Sequence, residues 1–128
     1  MNNGILFVGD EFLSNYVRKL ILRNFEGSHV ETAGTYKKAL KILEQRSKEF
    51  YLALSDIQIP PNSPPNESDI SFIYQCKTNY PNLMQLAFTS AVLTKDDKRK
   101  LDDMGVPYIS DISNIHTELK EKIRKLAA

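Results

Sequence analysis

The sequence predicts a doubly wound α/β fold, in which one sheet of five parallel strands lies between two layers of helices. Short runs that are apolar at every position, such as 5–8 and 50–54, are typical of strands buried on both faces. Apolar residues at helical spacing follow these runs. This strand–helix order occurs five times, and alternation of this kind favours a parallel sheet with right-handed crossovers.

The first unit begins with the strand 5–8, which ends before Gly9 and Asp10. A helix with one apolar stripe follows and ends near Gly27. The stripe consists of Leu13, Tyr16, Val17, Leu20, Ile21 and Phe25.

The second and third units follow the same pattern. A weaker strand is predicted at 29–33, and Thr35 is a candidate N-cap for the helix after it. The inner face of that helix would carry Tyr36, Ala39, Leu40 and Leu43. The strongest later run, 50–54, ends at Ser55 and Asp56.

Prolines mark the boundaries of the next predicted elements. The stretch 60–69 contains four prolines and is predicted to be a loop, and a helix then opens at Ile70 and stops before Pro81. A strand at 83–88 comes next.

The last part of the chain is predicted to hold two helices around a short strand. The polar helix Lys95–Met104 ends at Gly105, and the strand 106–109 contains Pro107, which suits an edge strand. The final helix is marked by Ile112, Ile115, Leu119, Ile123 and Leu126.

Composition limits the classes of function. A chain of 128 residues predicts one domain, 1–128. Lys and Arg number 17 against 16 Asp and Glu, so the formal net charge is +1. This balance argues against nucleic-acid binding through a basic face. Cys76 is the only cysteine, which excludes a disulfide framework. The apolar runs are too short for a signal peptide or a membrane span, so we expect a cytoplasmic protein.

Acidic and hydroxyl side chains follow the predicted strands. Asp10 and Glu11 follow the first strand, Asp56 the third, and Thr89 and Ser90 the fourth. Carboxylates gathered at one sheet edge need a compensating cation, and Mg²⁺ is a hard ion that suits them. An aspartate beside Mg²⁺ can attack a phosphoryl donor. The alternative is that Asp10 only caps the first helix.

Five segments carry a resemblance to a known family. In chain order they are 5–11 (ILFVGDE), Thr32-Ala33 followed by Ala39-Leu40, 52–60 (LALSDIQIP), 88–91 (FTSA), and Gly105 followed by Tyr108. With these segments the chain resembles bacterial response-regulator receiver domains over essentially its whole length. The resemblance implies the flavodoxin-like (βα)5 fold with three α/β/α layers.

The resemblance also implies a phosphoacceptor site. Asp56 would accept a phosphoryl group from a histidine kinase or a phosphotransfer protein. Asp10, Asp56 and the backbone carbonyl of Gln58 would hold Mg²⁺, and Glu11 is a further candidate ligand after a small shift.

The resemblance further implies a switch and a partner surface. Ser90, or alternatively Thr89, would bond the phosphoryl oxygen, and the rotamer of Tyr108 would follow that loop. The helix Lys95–Met104, the strand at Tyr108 and the C-terminal helix would form the face for a homodimer or an effector. The alternative for the charged run 95–100 is a solvated helix face.

The sequence departs from the family pattern in three places. Gly9 occupies the first of the two acidic positions, and Asp111 stands where the family has a lysine after the fifth strand. An aspartate there would repel a phosphoryl group instead of attracting it, or alternatively it would bind a cation. The third departure is the proline-rich insertion Pro60–Pro65, which would cover the site, offer a partner a stiff segment, or be a tolerated surface insertion.

Two functions remain in competition, and a third is disfavoured. The domain is a working phosphoacceptor receiver, or it is a pseudo-receiver that binds partners with weak or no phosphorylation. An enzyme on the same fold is disfavoured, because the loop at Gly9 does not resemble a flavin-phosphate loop and 56–58 lacks the second aspartate of a dehalogenase-type phosphatase. The sequence does not identify the output that the domain would control. The chain either works alone or is the front part of a longer protein.

Overall fold

The computed structural model describes residues 4–9, 11–25, 27–57, 69–88, 95–109 and 115–127. Within these residues four parallel strands form one sheet in the order β2-β1-β3-β4. The strands are β1 (Gly4–Val8), β2 (His29–Ala33), β3 (Phe50–Asp56) and β4 (Met84–Phe88). The predicted doubly wound α/β fold is confirmed, and β1 and β3 lie at its centre.

The register brings the carboxyl ends of the strands to one edge of the sheet. Val8 pairs with Ala33 of β2 on one side and with Ser55 of β3 on the other. Asp56 pairs with Phe88 of β4. The last residues of β1, β3 and β4 therefore lie at neighbouring positions.

The predicted fifth strand is represented in the described residues by one parallel bridge, between Ala87 and Tyr108. The Ala87 N–H donates to the carbonyl of Pro107 at 3.0 Å, and the Ile109 N–H donates to the carbonyl of Ala87 at 2.8 Å. The segment lies beside β4, which is the position of a fifth strand in the order 2-1-3-4-5. Since proline has no N–H to donate, Pro107 suits this outer position.

Five α-helices and one short 3₁₀ helix accompany the strands in the described part of the chain. The α-helices are α1 (Glu11–Asn24), α2 (Tyr36–Arg46), α3 (Asp69–Asn79), α4 (Lys95–Met104) and α5 (Ile115–Ala127). The sequence pattern did not predict the 3₁₀ helix Ser47–Glu49, which joins α2 to β3. In the described residues, the structure contains no helix with the length and apolarity needed to cross a membrane.

Two apolar cores cover the two faces of the sheet. The first joins α2, α3 and α4 to the sheet, and its buried residues include Leu6, Val8, Ala39, Leu43, Ala53, Phe72, Ile73, Cys76 and Leu101. The second joins α1 and α5 to the other face, and it includes Ile5, Phe7, Val17, Leu20, Ile21, Leu52, Leu54, Phe88 and Leu119. Alternate residues of β1 and β3 therefore enter opposite cores, as the period of a strand requires.

The prediction that Tyr16 belongs to the buried face of α1 is wrong. Tyr16 is 45% exposed, whereas Val17 and Ile21 are fully buried. At 100° per residue the buried stripe is centred on Val17, so Tyr16 lies at its margin and Ser14, 4% exposed, takes the buried place.

Two helix ends are set by local chemistry that the sequence predicted. The Thr35 side chain accepts a hydrogen bond from the N–H of Lys38 at 3.1 Å, which caps α2. After α4, Gly105 has a φ of +70°, and the N–H of Val106 donates to the carbonyl of Leu101 at 2.9 Å. This glycine-dependent end turns the chain back toward the segment that pairs with β4.

Cys76 is a free cysteine buried in the first core. Burial raises its pKa to about 12. At neutral pH the thiol is therefore protonated and a poor nucleophile.

An ion-pair cluster links α2 to the edge strand β2. Arg46 donates two hydrogen bonds to the Glu31 carboxylate, one of them 2.5 Å long from Nη1 to Oε1. His29 Nε2 lies 3.5 Å from Glu31 Oε1, and the guanidinium also stands over the Phe50 ring. The hydrogen bonds from Arg46 are the main reason that the pKa of Glu31 lies below its ordinary 4.5.

This cluster predicts a pH-dependent contribution of Glu31 to stability. Because the pKa of Glu31 is lower in the folded chain than its ordinary 4.5, the ionised carboxylate stabilises the fold at higher pH. We expect Glu31→Gln to lower the melting temperature at neutral pH. The difference from the wild type should shrink as the pH falls through 4.5 toward the lowered pKa. Thermal unfolding followed by circular dichroism measures this difference, and one that is constant across the titration would contradict the assignment.

Candidate functional site

Asp56 is the last residue of β3 and lies at the carboxyl edge of the sheet. It is 2% exposed overall, and its chain neighbours Ser55 and Ile57 are buried as well. A carboxylate-bearing residue is costly to bury unless its charge is compensated. Such a residue at the β1/β3 position is therefore a candidate functional group.

The first residue of α2 contacts the backbone of this aspartate. The Tyr36 hydroxyl donates a hydrogen bond to the backbone carbonyl of Asp56 at 2.6 Å. The Tyr36 ring packs against the Phe72 ring of α3, with the centroids 5.0 Å apart. One side chain therefore joins α2, the end of β3 and α3.

The hydrogen bond from Tyr36 lies just past the end of the β1–β3 pairing. That pairing ends at Val8 and Ser55. The N–H of Ile57 donates to the carbonyl of Phe88 in β4 at 2.8 Å. In a strand the N–H and C=O groups of one residue point to one neighbouring strand, and those of the next residue point to the other. Because the N–H of Ile57 points to β4, the carbonyl of Asp56 faces β1. The phenol and the β4 pairing therefore hold the end of β3 from its two sides.

Gly9 lies next to Asp56, on the adjoining strand end. A Cβ placed on Gly9 would stand 3.4 Å from the Cβ of Asp56. The same Cβ would lie 2.8 Å from the Cε1 atom of Phe7, which is closer than ordinary packing permits. Phe7 is fully buried and pairs with Phe88 at a centroid distance of 5.6 Å. An aromatic ring therefore occupies the space that a side chain at position 9 would need.

These contacts bear on whether the site fits Mg²⁺. Carboxylate and carbonyl oxygens are the ligands this ion prefers, and Asp56 brings one carboxylate-bearing residue to the sheet edge. The closeness of Gly9 to Asp56 shows that position 9 belongs to this edge, yet it supplies no ligand. Asp10 and the Gln58 carbonyl, which the resemblance implies as further ligands, lie outside the described residues. Together with Asp56 they would be chemically suited to Mg²⁺, with one carboxylate fewer than a set that has an acidic residue at position 9.

The other residues singled out by the sequence are placed unevenly. Tyr108 is half-buried and packs against the first core. It forms a parallel β-bridge with Ala87, one residue before the end of β4. Glu11 is the first residue of α1. The following lie outside the described residues: Asp10, Gln58, the insertion Pro60–Pro65, Thr89, Ser90 and Asp111.

Sequence reasoning missed two contributors to the site. The sequence pattern indicates Tyr36 only as a residue of the inner helix face, and Phe7 only as part of a buried strand. A signal for Tyr36 nevertheless exists, because a tyrosine in the first turn of a helix that follows β2 starts at the carboxyl edge of the sheet. No sequence signal shows that the Phe7 ring lies over position 9.

Solved structures match the chain along nearly its whole length. One is the CheY-like response regulator receiver domain protein from Methanospirillum hungatei JF-1, which is 25% identical, with a TM-score of 0.77, over 99% of this chain and 95% of that one. Another is the response regulator protein TrrA from Thermotoga maritima in complex with Mg²⁺ and beryllium fluoride, which is 23% identical, with a TM-score of 0.74, over 98% and 99%.

A further match is the complex of the histidine kinase ThkA with TrrA, at 24% identity and a TM-score of 0.72, over 100% of both chains. No protein-family model matches the sequence, and the comparison with curated proteins gives no match. The likeness to the Methanospirillum hungatei protein supports the receiver resemblance found in the sequence motifs, and the other two matches support the fold.

The contact between Gly9 and Phe7 predicts a steric penalty for an acidic residue at position 9. We expect Gly9→Asp to lower the free energy of unfolding by about 1–3 kcal/mol, because the buried Phe7 ring has to move. In the double variant Phe7→Leu/Gly9→Asp the two losses should be less than additive, by about 0.5–3 kcal/mol. Urea denaturation of the two single variants and the double variant measures this coupling.

Gly34→Asp is the matched control, since nothing lies within 4 Å of a Cβ placed at that glycine. The control should retain the stability of the wild type to within about 0.5 kcal/mol. Strictly additive losses in the Phe7–Gly9 cycle, or an equal loss in the control, would contradict the steric interpretation.

Proposed function

We propose that this chain, a domain of the response-regulator receiver type, accepts a phosphoryl group on Asp56 from a histidine kinase or a phosphotransfer protein. The observation that carries the proposal is the position of Asp56, buried at the carboxyl end of the central strand β3. In one of the matched structures TrrA is bound to the histidine kinase ThkA, which supports a kinase as the partner class.

The proposed chemistry is a single phosphoryl transfer. A carboxylate oxygen of Asp56 attacks phosphorus, and an acyl phosphate bond forms as the phosphorus–nitrogen bond of the donor phosphohistidine breaks. The electron pair of the broken bond stays on the donor nitrogen. The chain supplies the nucleophile and holds its backbone through Tyr36 and the β4 pairing.

Mg²⁺ is part of the proposal, because charge must be compensated where a carboxylate meets a phosphoryl group. Asp10, Asp56 and the backbone carbonyl of Gln58 would hold the ion, with Glu11 as a further candidate. When bound, Mg²⁺ would neutralise charge on the phosphoryl oxygens. One matched receiver structure contains Mg²⁺ and beryllium fluoride, which supports this choice of ion.

The remaining family positions define the atypical part of the proposal. Ser90, or Thr89, would bond the phosphoryl oxygen, and Tyr108 beside β4 would respond to that loop. Asp111 in place of a lysine removes a cation that would attract the phosphoryl group. We therefore expect slower phosphorylation and a greater dependence on Mg²⁺ than in a receiver that has this lysine.

A second candidate function is a pseudo-receiver, which binds partners with weak or no phosphorylation. The specific observation in its favour is the Phe7 ring beside Gly9, where the family has its first acidic position. That arrangement disfavours an acidic side chain at this position, and it is compatible with the same fold. Phosphorylation of Asp56 separates the two functions directly.

The face that contains α4, Tyr108 and α5 is proposed as the partner or dimer surface. Leu101 is the buried residue of α4, and the helix presents charges of both signs to solvent. Asp96 pairs with Arg99 at 2.5 Å and with Lys100 at 3.1 Å, so part of this charge is already balanced within the helix. A partner here would have to match mixed charges, because a uniformly acidic or basic surface would meet like charges.

The phosphoacceptor function predicts a covalent adduct at one residue. Incubation with Mg²⁺ and acetyl phosphate should add the mass of one phosphoryl group to the intact chain. Asp56→Asn should abolish the adduct, because a carboxamide is not a nucleophile for this transfer. Asp102→Asn, which changes an exposed aspartate of α4, is the matched control and should keep the adduct.

Intact-mass spectrometry measures the adduct, and circular dichroism verifies that each variant is folded. If the folded wild type carries no adduct over a wide range of Mg²⁺ concentrations, the phosphoacceptor function is wrong and the pseudo-receiver function stands. An adduct that persists in Asp56→Asn would place the modification on another residue.

A further inference from the structure

We infer that Tyr36 is a positioning residue of the phosphoacceptor site, which aligns Asp56 for Mg²⁺ binding through the Asp56 backbone carbonyl. This inference rests on the proposed function of Asp56. Its basis is the hydrogen bond of 2.6 Å from the Tyr36 hydroxyl to the backbone carbonyl of Asp56. Tyr36 acts through the backbone of Asp56, and the inference gives it no contact with the phosphoryl group.

The position of this carbonyl explains why it matters. It belongs to the peptide that joins Asp56 to Ile57, immediately before Gln58, whose own carbonyl is a proposed ligand. The orientation of that peptide therefore influences the direction of the Asp56 side chain. Groups that orient metal ligands from outside the coordination sphere typically change metal affinity by about 10–100-fold when they are removed.

The Tyr36 side chain is itself held in place by contacts with neighbouring elements. Its ring packs against Phe72 of α3, and Thr35 caps the first turn of α2 directly before it. Tyr36 is half-buried and also packs against the first core. The hydroxyl is therefore presented to the end of β3 by rigid elements, which is the arrangement expected for a group that fixes geometry.

Removal of the hydroxyl alone tests the inference. Tyr36→Phe keeps the ring and its packing on Phe72 and deletes the donor to the Asp56 carbonyl. We expect the Mg²⁺ concentration for half-maximal phosphorylation by acetyl phosphate to rise about tenfold. The rate at saturating Mg²⁺ should stay within about twofold of the wild type, because bound metal restores the ligand geometry.

Tyr51→Phe is the matched control, since it deletes a phenol hydroxyl from the other end of β3, in the second core. This variant should retain the wild-type Mg²⁺ dependence. Thermal unfolding of both variants separates a loss of fold from a loss of positioning, since a purely structural role would lower stability without shifting the Mg²⁺ concentration.

Direct binding of Mg²⁺, measured by isothermal titration calorimetry, gives a readout that does not require phosphorylation. If the wild type binds Mg²⁺ but accepts no phosphoryl group, the proposed function fails, and weaker binding by Tyr36→Phe alone still supports the positioning role. An unchanged Mg²⁺ affinity in Tyr36→Phe, an equal change in Tyr51→Phe, or a wild type that binds no Mg²⁺ would overturn the inference.

Discussion

The register of the central strand β3 is the constraint on which the rest of the structure depends. Val8 opposite Ser55 and Phe88 opposite Asp56 bring three strand ends together at one edge. A shift of the β3 pairing by one residue would exchange the β3 side chains that enter the two cores. It would also turn the Asp56 carbonyl away from the Tyr36 hydroxyl. The two fully packed cores therefore fix the position of the candidate acceptor as well as the fold.

Much of this fold could be predicted from the sequence, because burial of a parallel sheet leaves a strong pattern. The runs around Leu6 and Leu54 are apolar on both faces, and β2 and α4 end at the residues that the pattern predicted. The prediction was wrong at Tyr16, where the spacing of the stripe was ambiguous by one position. The segment at Tyr108 was predicted as a full strand, and in the described residues it is a single bridge beside β4.

The candidate site was less accessible to sequence reasoning, because it depends on contacts between residues far apart in the chain. Asp56 could be selected from its place after a strand, but the hydrogen bond from Tyr36 spans 20 residues and leaves no local pattern. Gly9 could be identified as a departure from a family pattern. Only the structure shows that a side chain there would have to displace the Phe7 ring, whose Cε1 atom would lie 2.8 Å from the added Cβ. The candidate site thus combines an aspartate whose backbone is held on two sides with a neighbouring position, Gly9, that has no acidic side chain.

The most direct test of the phosphoacceptor site is the mapping of backbone amide shifts by NMR when Mg²⁺ and beryllium fluoride are added together. We predict that the largest shifts occur at the carboxyl edge of the sheet, at Gly9, Asp56, Ile57 and Phe88. Residues at the opposite ends of the strands, such as Phe50 and Met84, should shift little. Shifts centred on those residues, or no shifts at Asp56 and its neighbours at saturating ligand, would contradict the assignment of the phosphoacceptor site.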